Sequence, residues 1–473
     1  MGNMMLLAIL LPIIGAFSLP FIGRISPKFR NLLAFLLVAG AFIASASLTG
    51  LILSNRTVNL FIPLVLGLDL NLTADALAVF MALSASFVSL FIVLYSFGYI
   101  KHEENQNEYY LMVVLFLGAM MGLVYSKNLI FIYLFWEISS ICSWRLIGFY
   151  REREVGLRAD KAFLVTVFGA LAMLLGFIIL HGDFGTFNLQ QMEGKTASDL
   201  AVLLILFGIF SKSATLPFHT WLPDAGVAPS PVTALLHAAV LVKIGVFVFA
   251  RIFVGTLEIG AVWHQVLPLV IAASAIITGG AALVENDIKR VIAYSTVSQL
   301  AFIFLGLFMN NPLAITGGLF FILAHALAKG GLFLCAGIVE HTVHTKDIRK
   351  MGGLAKSMPV TAAAFALCSL SVMGIPPFSG FFAKYMIISG TVQSGHPWLA
   401  GVFMVGSLLT ILYLFRVFTI VFMGETKHET PREGTPIMLV AVSTLAIVAL
   451  LSGLLIHYPS QFIQLAVRQM IGS

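Results

Sequence analysis

The sequence predicts an all-α integral membrane protein of fourteen transmembrane helices, with two inverted five-helix repeats and two broken helices. Three observations lead there. Of 473 residues, 59% are hydrophobic and only 10% charged, and the mean hydropathy of +1.00 lies far outside the range of soluble domains. Apolar windows of about 20 residues, long enough to cross a bilayer core, recur from end to end. Two of these windows are interrupted by proline at corresponding places.

The windows fall at 4–23, 31–53, 74–99, 109–125, 128–149, 161–181, 200–216, 231–253, 262–284, 291–309, 313–339, 358–392, 397–423 and 435–457. The first begins MGNMMLLAILLPIIGAF, without a basic n-region or small-residue cleavage site, so a retained helix is expected rather than a signal peptide. Leu6 breaks the myristoylation pattern. The seventh window runs into Leu216-Pro217 and the polar segment HTWLPDAG, and the twelfth is interrupted at Gly374-Ile375-Pro376-Pro377. Proline removes a backbone donor and clashes with the preceding turn, so both should be broken helices.

Basic residues test the span count. The odd-numbered loops carry 16 of the 27, including Arg24, Lys101, Arg153, Arg290, Arg349 and Arg432, whereas the even-numbered loops and the tail carry only Arg56, Lys127, Lys195, Arg251 and Arg468. By the positive-inside rule the odd loops are cytoplasmic and both termini of this multi-pass cell-membrane protein lie outside. The net charge of +6 is therefore a matter of orientation, not of nucleic-acid binding. Cys142, Cys335 and Cys368 are isolated in apolar segments, unlike a zinc site, an iron–sulfur site or a disulfide framework. No cofactor is expected in this chain.

Broken helices at matching places in two halves point to an inverted-repeat transporter. Pro217 and Pro376 are 159 residues apart, and an odd number of spans per repeat turns the second copy over. Helices 4–8 (109–253) and 9–13 (262–423) are read as the two units. Helices 1–3 (1–108) precede them, and helix 14 with a tail (435–473) follows, all in one membrane domain.

Five charges inside apolar windows demand a reason, because each costs roughly 2.5–3.5 kcal/mol at mid-membrane. Glu137, in NLIFIYLFWEISSICSW, is the mid-span carboxylate, and its value as a switch depends on a nearby lysine. Lys212 sits among Ser211, Ser213 and Thr215 one turn before the first break, where freed carbonyls suit a cation. A Glu137–Lys212 contact that breaks would release a proton. Lys243 shares a span with His237; at six residues' spacing they stand about 120° apart on an ideal helix and read as successive stations. His325 and Lys329 are four apart and share a face. Lys384, after the second break, is placed to exchange a proton with one aqueous side.

His219 and Asp224, in the polar segment after the first break, are candidates for proton uptake, and Asp224 also suits a helix start. Glu340-His341-Thr342-Val343-His344 departs from the zinc pattern H-E-x-x-H and reads as solvated loop. Arg145 and Arg416 read as headgroup anchors.

The segment SKSATLPFHTWLPDAGVAPSPVTALLHAAVLVKIGVF resembles the central signature of the antiporter-like subunits shared by respiratory complex I, Mrp cation/proton antiporters and membrane-bound hydrogenases. GIPPFSGFFAKY resembles their second signature, and the fourteen-span plan extends the likeness over nearly the whole chain. The resemblance implies a proton-translocating module in which Glu137 pairs with Lys212, Lys243 and His237 connect, Lys329 and His325 follow, and Lys384 is terminal. The largest complex I member continues into a long lateral helix, where this chain stops at Ser473 after the short amphipathic stretch SQFIQLAVRQMIG.

The expected function is translocation of protons, or their exchange for Na+, along Glu137, Lys212, Lys243 with His237, Lys329 with His325, and Lys384. The expected partners are other membrane subunits, the lipid bilayer, and a redox module holding iron–sulfur or nickel–iron centres, since the chain itself supplies no redox chemistry. A hydrogenase-type or related ferredoxin-linked complex is the favoured context, with an Mrp antiporter or a complex I homologue as the alternative. A non-pumping scaffold, with its lysines in fixed ion pairs, is the rival of a different class. An independent transporter of an organic solute would instead need a roomy midplane pocket.

Overall fold

A computed structural model describes residues 2–64, 69–427 and 433–472; Met1, Arg432 and Ser473, which the charge count and the segment bounds include, lie outside them. Among the described residues, twelve continuous helices are long and apolar enough to span a membrane, and the broken seventh and twelfth complete fourteen. In chain order the continuous spans are Gly2–Ile25, Pro27–Leu53, Ala76–Tyr99, Gln106–Tyr125, Leu129–Ile147, Arg153–Phe184, Ser230–Val254 (the eighth), Ala261–Val284, Ile288–Phe308, Pro312–Val343 (the eleventh), Pro397–Phe422 and Pro436–Leu454.

The seventh span is helical over Asp199–Lys212. It then passes through Ala214 at φ +51° and the Leu216-Pro217 bond into short turns reaching Val227. The twelfth is two helices, Pro359–Met373 and Ser379–Gln393. Gly374 ends the first half in the left-handed region, at φ +83°, a conformation that favours glycine because it has no Cβ.

The repeat is visible residue by residue at an offset of 159. Arg153–Phe184 and Pro312–Val343 are both 32 residues long (153 to 312, 184 to 343). Each ends on a left-handed residue, Gly185 and His344. The bridge Asn128↔Asn188 recurs as Asp287↔Asp347, and the single turn Leu189–Gln191 recurs as Ile348–Lys350. In each unit the residue that starts the fifth or tenth span, Asn128 or Asp287, caps its own helix with its side chain. Two short sequence features, a capping Asn/Asp and an Asn/Asp at the end of the next span, thus tie the loop ends together in both copies.

Two features depart from the all-α expectation. Strands β1 (Val58–Ile62) and β2 (Leu70–Ala74) pair antiparallel with Leu60 opposite Leu72. This hairpin is small enough to be marginal alone, and it is held by packing Leu72 and Ala74 into the interior. The eighth span is also irregular: it winds as π-turns over Leu235–Ala239 and Ala250–Val254, with Val240 at φ −125°, ψ −71° between the first of these and an α-helical stretch. Wide turns of this kind are frequent at functional sites. The tail forms the amphipathic helix His457–Ile471, which buries Phe462, Ile463, Leu465, Ala466 and Val467.

The eighth, tenth and eleventh spans form the centre, almost entirely enclosed by the others. Close approach there depends on small residues: a Cβ on Gly245 would lie 2.1 Å from Ser213 Oγ, and one on Gly317 would lie 2.8 Å from Ala383 O.

Candidate functional site

The central spans carry a row of buried amines and imidazoles. Lys212, His237, His325 and Lys329 are fully buried, Lys243 is 1% exposed and Lys384 is 4% exposed. None of the four lysines reaches toward the surface, Lys384 included.

Lys212 closes the helical half of the seventh span. Its Nζ donates to Ser140 Oγ at 2.7 Å and to Trp136 O at 3.2 Å, and it stands 5.2 Å from the Trp136 ring centroid. These partners bracket Glu137 in the fifth span, but the expected Glu137–Lys212 ion pair is not formed: no salt bridge joins them among the described residues, and Glu137 Oε1 is buried without a hydrogen-bond partner. Glu137 is half-buried and lies on the same stripe as the exposed Leu134 and Ile141. The lysine therefore takes the neutral oxygens of the glutamate's own helical turn as its hydrogen-bond partners.

Lys243 Nζ lies 2.7 Å from His325 Nδ1, across the eighth and eleventh spans. His325 was expected to act with Lys329, one turn along its own helix. The longer lysine instead reaches to the tenth span, donating to Ser295 Oγ at 2.6 Å and Ile292 O at 3.1 Å. His237 packs against the Phe333 ring at 4.5 Å between centroids, with both ring nitrogens lacking partners among the described residues. The ideal-helix angle between His237 and Lys243 does not apply, because the π-turn and the break at Val240 intervene.

Lys384 Nζ has no hydrogen-bond partner among the described residues. It is held over the Phe302 ring at 4.6 Å and the Phe321 ring at 5.7 Å, an arrangement in which ring quadrupoles attract a cation.

At the basic-loop end, Asp224 does not start a helix with its side chain; its two oxygens accept from Lys161 Nζ and Arg290 Nη1, each at 2.7 Å. Burial pushes this carboxyl up, but those two hydrogen-bonded cations outweigh it and hold it below the usual range. His219 is half-buried, with Nδ1 lacking a hydrogen-bond partner among the described residues. Glu340 is not a solvated loop residue: Lys289 Nζ meets it at 2.9 Å and Lys346 Nζ at 3.3 Å. The two arginines read as anchors are held by protein groups. Arg145 Nε donates to Glu108 at 2.7 Å, and Arg416 donates to Glu285 O and Asn286 Oδ1, both at 2.7 Å.

Sequence reasoning missed two groups. Arg251, counted among loop charges, is buried and donates through both terminal nitrogens to Asp75, at 2.5 and 2.9 Å. Lys127 joins at 3.2 Å, beside a cavity of about 240 Å³ that Asn59, Thr73, Glu193 and Gln469 also line. The other group is Ser295, Gln299, Thr410 and Tyr413, which extend the contacts of Lys329. Their signal was present as helical spacing, four residues in the tenth span and three in the thirteenth, inside windows otherwise apolar.

Residues 126–410 match the family described as "NADH:quinone oxidoreductase/Mrp antiporter, TM". Residues 63–110 match "NADH-Ubiquinone oxidoreductase (complex I), chain 5 N-terminus". The chain is 34% identical to an Na(+)/H(+) antiporter subunit of Staphylococcus saprophyticus, over 95% of this chain and 60% of that protein. It is 35% identical to an Na(+)/H(+) antiporter subunit of Alkalihalophilus pseudofirmus, over 90% and 56%. It thus spans roughly three-fifths of the length of these curated relatives. Among solved structures, the fold is shared with a chain of the Mrp complex from Dietzia sp. (TM-score 0.90, 22% identity, covering 100% of this chain and 98% of that one). It is also shared with a chain of respiratory complex I from Thermus thermophilus (TM-score 0.87, 23% identity, covering 99% and 100%).

Proposed function

The chain belongs to the NADH:quinone oxidoreductase/Mrp antiporter transmembrane family, which it matches over more than half of its length, and from that membership and the buried amines we propose that it is a proton-translocating membrane subunit of a multi-subunit Na+/H+ antiporter. The matches favour the Mrp-type alternative over the hydrogenase-type or related ferredoxin-linked context that the sequence suggested. The Mrp-type alternative agrees with relatives named as antiporter subunits. Protons would pass along Glu137, Lys212, Lys243 with His237, Lys329 with His325, and Lys384. His219 is the candidate for uptake, with Asp224 beside it in its ionic network.

The observation that carries this reading is the 2.7 Å contact of Lys243 with His325, because it joins the eighth span, in the first repeat, to the eleventh, in the second. A buried amine bonded to an imidazole shares one proton between two bases, and either can pass it on. A scaffold would instead call for fixed ion pairs, yet the contacts of Lys212, Lys243, Lys329 and Lys384 are with neutral oxygens, an imidazole and aromatic rings. The ring nitrogens of His237 and Oε1 of Glu137, which lack partners among the described residues, are where water would link the stations. The half-exposed Glu137 suits a position at the contact with a neighbouring membrane subunit. The basic loops then face the cytoplasm, with both termini outside.

The test is cation-driven antiport in everted vesicles containing the chain with its native partner subunits. Adding Na+ to a vesicle holding a pH gradient should collapse that gradient in the wild type, and Lys243→Ala should leave it intact at normal protein level. Undiminished antiport in Lys243→Ala would sink the relay.

A further inference from the structure

Serine and threonine hydroxyls inside apolar helices commonly turn back onto their own helix, as Thr296 does to Ile292 O at 3.0 Å and Ser140 does to Trp136 O at 3.1 Å. Ser295 is used differently. Its Oγ lies 2.6 Å from Lys329 Nζ and 2.7 Å from Tyr413 OH. Tyr413 OH in turn lies 3.3 Å from Gln299 Nε2, which is 3.1 Å from Thr410 Oγ1. All five residues are fully buried, and Gln299 Oε1 has no partner among the described residues. The amine of Lys329 is thus the end of a chain of neutral polar groups running from the eleventh span through the tenth to the thirteenth.

We propose that Tyr413 is a positioning residue for Lys329, acting through Ser295, and that this chain reverses its hydrogen-bond direction when the amine gains or loses its proton. The proposal rests on the relay reading above. With the amine neutral, Ser295 O–H donates to the nitrogen lone pair, Tyr413 O–H donates to Ser295, and the Gln299 amide N–H donates to Tyr413. With the amine protonated, its N–H donates to Ser295, Ser295 O–H donates to Tyr413, and Tyr413 O–H donates to Gln299 Oε1 once the amide turns over. The two amide orientations have nearly the same shape, so the turn asks for no repacking, and in each state every hydroxyl proton has an acceptor.

The two states do not depend equally on the phenol. Without it, the neutral state leaves one lone pair of Ser295 unfilled. The protonated state strands the Ser295 hydroxyl proton in an apolar setting, and a buried donor without an acceptor is the costlier defect. Removing the phenol therefore penalises the charged amine. Charged and titratable neighbours act on Lys329 as well: Lys384 from the twelfth span, Lys243 and His237 from the eighth, and His325 from its own helix. The third and fourteenth spans bring Val88 and Leu445 against the adjoining Gly330. All of these stay in place when the phenol hydroxyl alone is removed.

The experiment is the pH profile of Na+-driven antiport in vesicles of the assembled complex, for wild type, Tyr413→Phe, Gln299→Leu and Lys329→Ala. Tyr413→Phe should move the profile to acid by about one pH unit, the effect of one lost buried hydrogen bond. Gln299→Leu should move it the same way by less, and it serves as the test should Tyr413→Phe not reach the membrane. An unmoved or alkaline-shifted profile, with Lys329→Ala inactive, overturns the role of Tyr413 and leaves the relay standing. Normal antiport in Lys329→Ala overturns the relay itself.

Discussion

Lys243 and His325 meet at 2.7 Å across the two repeats, and this contact makes each residue's contribution conditional on the other. His325→Ala and Lys243→Ala are each expected to cut Na+-driven proton movement by about tenfold or more, in line with the loss of one positioned proton-transfer group. The double variant should be no slower than the slower single one, because partners in one network do not add. Initial rates in everted vesicles, normalised to protein level, check this. Multiplied losses in the double variant would mean that the two act on separate paths.

Glu137→Gln is expected to abolish translocation while leaving the amount of protein in the membrane near normal. The substitution keeps shape and removes the charge, and among the described residues Glu137 Oε1 makes no hydrogen bond whose loss would weaken packing. Lys212 keeps its contacts with Ser140 and Trp136 in the variant. Transport rate and immunoblot level in the same vesicles separate the two effects, and unchanged transport would remove the carboxylate from the path.

The spans, the breaks and the repeat were legible because they depend on local properties: apolar length, proline at Pro217 and Pro376, and a 159-residue spacing that recurs in Asn128 and Asp287. The buried lysines were legible for the same reason, since a lysine in an apolar window is conspicuous wherever it points. Their pairing was not. Lys212 chose Ser140 over Glu137, and His325 chose Lys243 over Lys329, because long side chains reach a neighbouring helix more readily than the next turn of their own. The π-turns at Leu235–Ala239 were hidden because they arise from packing rather than from composition. Arg251 was misplaced because a charge near a window's end reads as loop, whereas its partner Asp75 lies at the start of a span distant in sequence.

That Asp75–Arg251 pair predicts a stability effect. Asp75 caps the third span through Ala78 N at 2.9 Å while both its oxygens accept from Arg251. Arg251→Met should destabilise the folded protein by about 3–5 kcal/mol, since a buried carboxylate loses its main partner. Adding Asp75→Asn should recover much of this while keeping the cap. Burial pushes the Asp75 carboxyl up, but Arg251 and Lys127 outweigh it and hold it well below the carboxylate range. The stabilisation is therefore complete above the unfolded-state value of about 3.9 and is lost only as pH falls through the lower folded value. Thermal unfolding in detergent should show a wild-type advantage that is constant between about pH 5 and neutrality; an advantage that fades across that window would contradict the pairing.

The Lys384 amine is held by aromatic rings and has no hydrogen-bond partner among the described residues. The Phe302 centroid is 4.6 Å from Nζ, and Phe302 itself packs edge-on against Phe321 at 6.1 Å and Phe403 at 4.7 Å, which fixes the face it offers. A desolvated cation–π contact is worth about 0.5–2 kcal/mol, and in the proposed relay the rings would stabilise the charged form of this terminal amine. Phe302→Leu keeps an apolar side chain and removes the quadrupole, so transport should fall several-fold. Phe302→Trp should retain most of the rate if the larger ring is accommodated, since tryptophan offers the stronger face to a cation. The readout is the antiport rate of the three forms at equal protein level. If leucine and phenylalanine transport equally well, the rings only fill space and Lys384 holds its proton by other means.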